Sequence, residues 1–270
     1  KLTDYGVEFI ENNKDKPFFL YIAYSAPHVL LVPRADKLNK YFFKYNKFPG
    51  EYNPYYAAML ESLDEGVGRL IQTLEKNNLM ENTIIVFTSD NGGVGLPELG
   101  PVPTSCLPLR KWKGHLYEGG IRIPLIVYWK GTIPQGAQSE NYTINTDFYQ
   151  TFGEIINSSK RKFGLDGTSL VDILKNPTKP KERGPVFWHY PHFSNQEGRP
   201  AGAVRKGQYK LIENFETGEV ELYNLNKDIG EEQNLAAKEP QIKNELYSLL
   251  QLWRKSVSAN MPLPNPGYSK

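Results

Sequence analysis

The chain reads as an α/β protein with a mainly parallel sheet flanked by helices, followed by a small C-terminal α+β subdomain. Three observations predict this. Long apolar runs alternate with a helical pattern, the signature of strand–helix–strand units. Those runs are continuous rather than alternating, as expected of strands covered on both faces. After residue 185 the strand-like segments become shorter and closer, and a single amphipathic helix closes the chain.

The first run is "PFFLYIAY", Pro17–Tyr24, whose length and aromatic content predict a buried strand. From Pro54 to Asn78 the pattern changes: Met59, Leu60, Leu63, Val67, Leu70, Ile71 and Leu74 recur at three- and four-residue spacing. That is one face of a helix with Pro54 in its first turn. "TIIVFT", Thr83–Thr88, predicts a second buried strand, and a glycine- and proline-rich segment follows from Gly92 to Pro108. "IPLIVYW", Ile123–Trp129, predicts a third strand and "TDFYQTFGEII", Thr146–Ile156, another helix.

In the tail, "VFWHY", "AGAVRKG", "QYKLIEN" and "EVELYNL" predict an antiparallel sheet, with a turn over Glu213–Val220 and Gly218 at its bend. The helix predicted over Gln241–Val257 puts Ile242, Leu246, Leu249, Leu250 and Trp253 on one stripe. The boundary falls near Pro177–Pro185, dividing residues 1–178 from 179–270. The cluster Lys179–Arg183, interrupted by Pro180 and Glu182, reads as a solvated loop.

With 270 residues and 39% hydrophobic content, the chain can bury one large core, or one large and one small. Its 32 basic and 30 acidic side chains nearly balance, which gives no sign of a nucleic-acid partner. No stretch has the apolar length of a membrane span. One cysteine excludes an internal disulfide framework. Two sequons, Asn141-Tyr142-Thr143 and Asn157-Ser158-Ser159, matter only in a glycosylating cell.

Three short segments carry chemistry. In "TSDNGG", Asp90 and Asn91 follow a strand directly, at the sheet edge where ligands sit in open α/β folds. A carboxylate beside an amide oxygen suits a hard cation such as Ca²⁺ or Mg²⁺, although the same letters also spell an Asx turn. "SAPH" puts His28 at the corresponding edge after the first run, where imidazole could donate to an anionic substrate. "RKWKGHLYEGGIRIP" sets Lys113 beside a glycine, and a compact ammonium suits a sulfate or phosphate oxygen.

In their order "FFLYIAYSAPH", "IIVFTSDNGG" and "PLRKWKGHLYEGGIRIP", followed by "GQYKLIE" and "VELYNLNKDIGEEQNLA", these blocks resemble the type I sulfatases of the alkaline-phosphatase superfamily over nearly the whole chain. The resemblance implies an alkaline-phosphatase-like α/β core, Asp90 and Asn91 as calcium ligands, and Lys113 as the lysine on the sulfate and leaving oxygen. It makes His28 a histidine on the sulfate ester that can assist the leaving group. Glu118, Gly119 and Gly120 match a segment that shapes the loop. The implied substrate is a sulfate ester, most plausibly on a sugar, and the implied location is periplasmic or otherwise exported.

Cys106 opens "CLPLR", which spells the C-x-P-x-R pattern of the family's formylglycine nucleophile. That nucleophile precedes the "APH" block and is followed by Thr-Gly-Arg. Cys106 follows both "APH" and "DNG" and leads into the Lys113 run, so it is expected to be a decoy. The chain is then expected to be the C-terminal portion of a sulfatase, with an incomplete Ca²⁺ site, the formylglycine on a segment it lacks, and no activity alone. A phosphoryl hydrolase or transferase of the same superfamily is the alternative, as is a non-catalytic carbohydrate-binding fragment. In "FWHYPHFSNQEGRP", His192 and Arg199 flank aromatic residues and are candidates for holding the sugar.

Overall fold

A computed structural model describes residues 1–47, 53–96, 102–158, 166–263 and 265–267. The segment 97–101 of the glycine-rich stretch and Ser159 of the second sequon lie outside them. The chain forms two compact units. One comprises residues 1–87, 94–105 and 125–131; the other comprises 88–93, 106–124 and 132–270. The second unit thus takes in more of the chain than residues 179–270.

The first unit contains α1 (Leu2–Asn13), α2 (Ala35–Lys47) and α3 (Pro54–Lys76). Asn53 caps α3, its Oδ1 accepting from Tyr55 N at 2.9 Å and Tyr56 N at 3.2 Å, with Pro54 supplying no amide to satisfy. Helices α1 and α3 approach closely: a methyl added at Gly66 would stand 2.7 Å from Thr3 Oγ1. The pair is tied further by Arg69 donating to Asp4 at 2.7 Å. Strands β1 (Ile84–Thr88) and β2 (Leu125–Trp129) form a two-stranded sheet where the apolar runs predict strands. Neither holds a buried residue, and Ile126 is 63% exposed, so the expectation of burial on both faces is not met.

The run Pro17–Tyr24 is a correction. It is not a strand of any ladder among the described residues, and Phe19 and Tyr21 are 72% and 79% exposed. A strand exists only as paired backbone, and an apolar run carries no information about where its partner lies.

The second unit is built on a four-stranded antiparallel sheet of β3 (Val186–Tyr190), β4 (Ala201–Lys206), β5 (Tyr209–Asn214) and β6 (Val220–Asn224), in that order. Val186 faces Arg205, Ala201 faces Asn214 and Tyr209 faces Asn224. The turn before β6 uses Gly218 at φ +70°, as the sequence predicts. The period-two alternation fills both faces. Val204, Leu211 and Leu222 meet Leu246 and Leu250 of α7 (Pro240–Ser256), and Phe187 stacks on Trp253 at 4.8 Å. Ala203, Ile212 and Tyr223 face the other way and pack with Leu116 and Tyr117.

Also in this unit lie α4 (Glu118–Ile121), α5 (Asp147–Ile155) and α6 (Val171–Lys175). The solvated reading of Lys179–Arg183 fails at Arg183. Its guanidinium donates to both oxygens of fully buried Asp147, at 2.7 and 3.1 Å. The same carboxylate accepts from Ile144 N and Thr168 N, so the planar fork completes a satisfied buried carboxylate.

Candidate functional site

Where β1 ends, Thr88 Oγ1 donates to Pro124 O at 2.9 Å and fixes the exit of the chain. Asp90 Oδ1 then accepts from Asn91 N at 2.9 Å, an Asx arrangement, while Asn91 Nδ2 donates to Gly92 O at 3.0 Å. Because the amide nitrogen is engaged, the acceptor oxygen of Asn91 lies on the other side of its group. Asp90 is exposed and Asn91 half-buried. The pair presents hard oxygen donors suited to Ca²⁺, which takes roughly six to eight. Among the described residues no cluster of three or more His, Cys, Asp or Glu side chains could hold a metal ion.

Lys113 is joined to this turn by backbone. Its N–H donates to Gly93 O at 2.9 Å, and Gly92 N donates to Gly120 O at 2.9 Å. The approach is so close that a methyl on Gly92 would stand 1.8 Å from Gly119 O, and one on Gly119 would stand 2.1 Å from Lys111 O. The paired glycines of "DNGG" and "YEGG" therefore interleave two backbones, which brings Asp90, Asn91 and Lys113 into one loop cluster.

Five residues after Lys113, Glu118 enters an ionic clamp that sequence reasoning did not find. Lys210 of β5, fully buried, reaches Glu118 Oε1 at 3.0 Å and Glu231 Oε1 at 2.9 Å. Glu118 also meets Arg122 at 3.2 Å and Arg205 at 3.8 Å, and Glu231 Oε2 accepts from Glu118 N at 2.6 Å. Burial by itself raises the Glu118 carboxyl, but Lys210, Arg205 and Arg122 outweigh it and hold the group below the usual carboxylate range. Glu231 goes the other way: burial dominates over its one cation, and Glu118 repels it. Arg110 closes the arrangement, donating to Tyr223 Oη and Glu231 O, both at 2.8 Å, with its guanidinium 4.1 Å from the Tyr117 ring centre. The partners lie far apart in sequence, so no local spacing announces them.

Cys106 lies beside the same turn. Its Sγ contacts Gly93 O at 3.9 Å, and burial raises the thiol. A thiol kept protonated is a poor nucleophile. His28 belongs to the first unit, where its N–H closes a turn onto Ser25 O at 2.8 Å and its Nδ1 lies 2.6 Å from Val29 O. It does follow the Pro17–Tyr24 run, although that run is not a ladder strand among the described residues.

The second unit also holds a cleft of about 570 Å³ whose walls include Lys111, His115, Tyr117, Phe193, Arg199 and Glu221. Arg199 thus takes its place in a cavity, ion-paired to Glu216 at 2.9 Å. His192 is exposed, its ring 4.7 Å from that of Tyr190, and it is not among the cleft-lining residues. His189 is committed elsewhere, with Nε2 at 2.8 Å from Asn260 O. His115 was missed as a candidate, and its only signal was its place in the dense "RKWKGH" block. Its Nε2 and Trp112 Nε1 share Gln196 O, at 3.1 and 3.0 Å. Burial first, and the Lys111 charge second, lower its basicity.

Residues 1–158 match the family model described as Sulfatase, and residues 111–256 match one described as N-sulphoglucosamine sulphohydrolase, C-terminal. The chain is 36% identical over 259 residues to a protein named Sulfatase from Formosa agariphila, covering 88% of this chain and 46% of that one. It is 31% identical over 220 residues to N-acetylglucosamine-6-O-sulfatase from Bacteroides thetaiotaomicron, covering 78% and 37%. The crystal structure of Ps i-CgsB in complex with k-i-k-neocarrahexaose superposes with a TM-score of 0.79 at 29% identity, covering 93% of this chain and 53% of that one. The chain spans about half the length of the curated relatives it matches, or less. On its residues, its fold and these matches, it belongs to the sulfatase family, with an alkaline-phosphatase-like α/β core and a C-terminal α+β subdomain.

Proposed function

We propose that the chain carries part of the catalytic apparatus of a hydrolase of carbohydrate sulfate esters, and that alone it does not turn substrate over. The observation that carries this reading is the Lys113 N to Gly93 O bond at 2.9 Å, which ties the backbone of the candidate sulfate-binding lysine to the Asp90–Asn91 turn. Asp90 and Asn91 would contribute oxygen ligands to Ca²⁺, and the ion, when bound, would offset charge on the sulfuryl oxygens. Lys113 would donate to a sulfuryl oxygen and to the leaving oxygen as charge builds there. His28 would donate to the ester and protonate the departing alkoxide. In this reading Cys106 supplies no nucleophile. Support for a sugar substrate comes from the two relatives, one named for an amino-sugar sulfate and the other crystallised with an oligosaccharide.

The test is release of inorganic sulfate from sulfated oligosaccharides by the full-length gene product, with phosphate esters in parallel. Lys113→Ala should lower kcat by about two to four orders of magnitude, as loss of a charged transition-state contact does. A loss below tenfold removes Lys113 from the site, and preferential phosphate release moves the protein to the phosphoryl-transfer branch. Sulfate release by the 270-residue chain alone would overturn the partial-site reading.

A further inference from the structure

The cleft in the second unit has a composition of its own. At about 570 Å³ it falls within the roughly 300–1,000 Å³ of small-molecule sites. Its floor includes Ala201 and Ile212, from adjacent strands of the sheet, so the cavity rests on a rigid base. Phe193 stands at its edge with 66% of its surface exposed, an aromatic face without a covering.

The polar lining is mostly made of acceptors. Three carboxylates, Glu197, Glu219 and Glu221, face two cations, Lys111 and Arg199, and Arg199 is already paired with Glu216. His115 adds no charge near neutral pH, since burial and Lys111 lower its basicity. With Nε2–H donating to Gln196 O, its Nδ1 is an acceptor as well. Lys111 and Glu197 both hold left-handed backbone, at φ +61° and +65°. Neither residue type favours that conformation, and such strain is commonly kept where a site needs it.

Carboxylates and a neutral imidazole accept from hydroxyl groups, and an exposed aromatic face suits the C–H face of a pyranose. A sulfate placed among three carboxylates is repelled. We propose that this cleft binds an unsulfated, hydroxyl-bearing sugar residue, the neighbour of the one whose sulfate ester is attacked. The proposal rests on the carbohydrate-sulfatase reading above and adds a selection rule to it: the preferred substrate is sulfated at one ring and bare at the next.

The experiment is binding without turnover. The purified chain is applied to a glycan array of galactan, glucosamine and galactosamine oligosaccharides, each present unsulfated, singly sulfated and fully sulfated. Unsulfated and singly sulfated members should bind about tenfold more tightly than fully sulfated ones, with the gap narrowing at high salt. Glu197→Gln with Glu219→Gln should shrink the gap to below about threefold, since it removes repulsion without removing hydrogen-bond acceptors. Phe193→Ala should weaken all members alike. All three side chains are exposed, so an unchanged melting temperature should accompany these shifts. Affinity that rises with sulfate count, or no binding to any glycan, overturns the proposal. Sulfate release is not read in this experiment. A failed cleft therefore leaves the sulfatase reading standing, and a failed sulfatase assay leaves the cleft standing.

Discussion

Replacing Lys210 by Met tests whether the ionic clamp holds the Lys113 loop cluster in place. Met fills a similar volume but supplies no charge to Glu118, 3.0 Å away, or to Glu231, 2.9 Å away. Removing one partner from a buried pair costs about 3–5 kcal/mol, because the remaining charge is stranded. Glu118 keeps Arg122 and Arg205, which places the cost toward the lower end, about 3 kcal/mol. At about 2–4 °C per kcal/mol for a protein of this size, the melting temperature should fall by about 6–12 °C. The control is Lys206→Met on the neighbouring strand, where an exposed lysine pairs with Glu245 at 2.6 Å. An exposed pair contributes little, so that shift should stay within about 2 °C. Thermal melts followed by circular dichroism at pH 7 compare the two. If Lys210→Met melts no lower than Lys206→Met, the clamp is not structural and the argument fails.

Three further outcomes are expected. Glu118 is held below its usual range in the folded state, so its contribution to stability is present above the unfolded carboxyl value, about 4.3, and is lost as pH falls through the lower folded value. Glu118→Gln should therefore cost most near neutral pH and progressively less in urea melts toward pH 3; a cost independent of pH would contradict the assignment. Gly92→Ala drives a methyl to 1.8 Å from Gly119 O and should destabilise by more than about 2 kcal/mol, whereas Gly218→Ala, with open space at φ +70°, should cost about 1 kcal/mol. Equal losses in denaturant titrations would refute the close-packing account of the glycine pairs. At the first sequon, Asn141 Oδ1 accepts from Lys181 N at 2.8 Å while Nδ2 donates to Lys179 O at 3.0 Å. Expression in a glycosylating cell should leave Asn141 unmodified, and a glycan found there by mass spectrometry would show that this clamp opens.

What the letters revealed depended on the range of the interaction behind them. Helix α3 was legible from its apolar spacing and Pro54, and α7 from the stripe ending at Trp253, because a helix buries one face of a contiguous segment. The four tail strands and the Gly218 bend were legible for the same reason. Helix α1 begins at Leu2 with no capping side chain, and α2 is mostly polar with few apolar positions to repeat, so both went unread. The Pro17–Tyr24 run misled because pairing is a property of two segments. The Lys210 clamp and the Arg183–Asp147 pair escaped for the opposite reason: each joins charges 21 to 92 residues apart, in stretches that look merely hydrophilic. Of the candidate site, Asp90, Asn91 and Lys113 could be proposed from short blocks, but the glycine interleaving that brings their segments together could not be read from them.

The division of the chain into two units carries a consequence for anyone who would take it apart. The backbone passes from one to the other at 87/88, 93/94, 105/106, 124/125 and 131/132. No single cut releases either piece. A cut anywhere within residues 88–131 leaves segments of both units in each fragment, and neither unit can be transplanted as a cassette. Every loop that carries Asp90, Asn91 or Lys113 is bounded at both ends by such a passage. Those loops are therefore continuous at both ends with chain of the first unit, while their bonds to one another lie within the second.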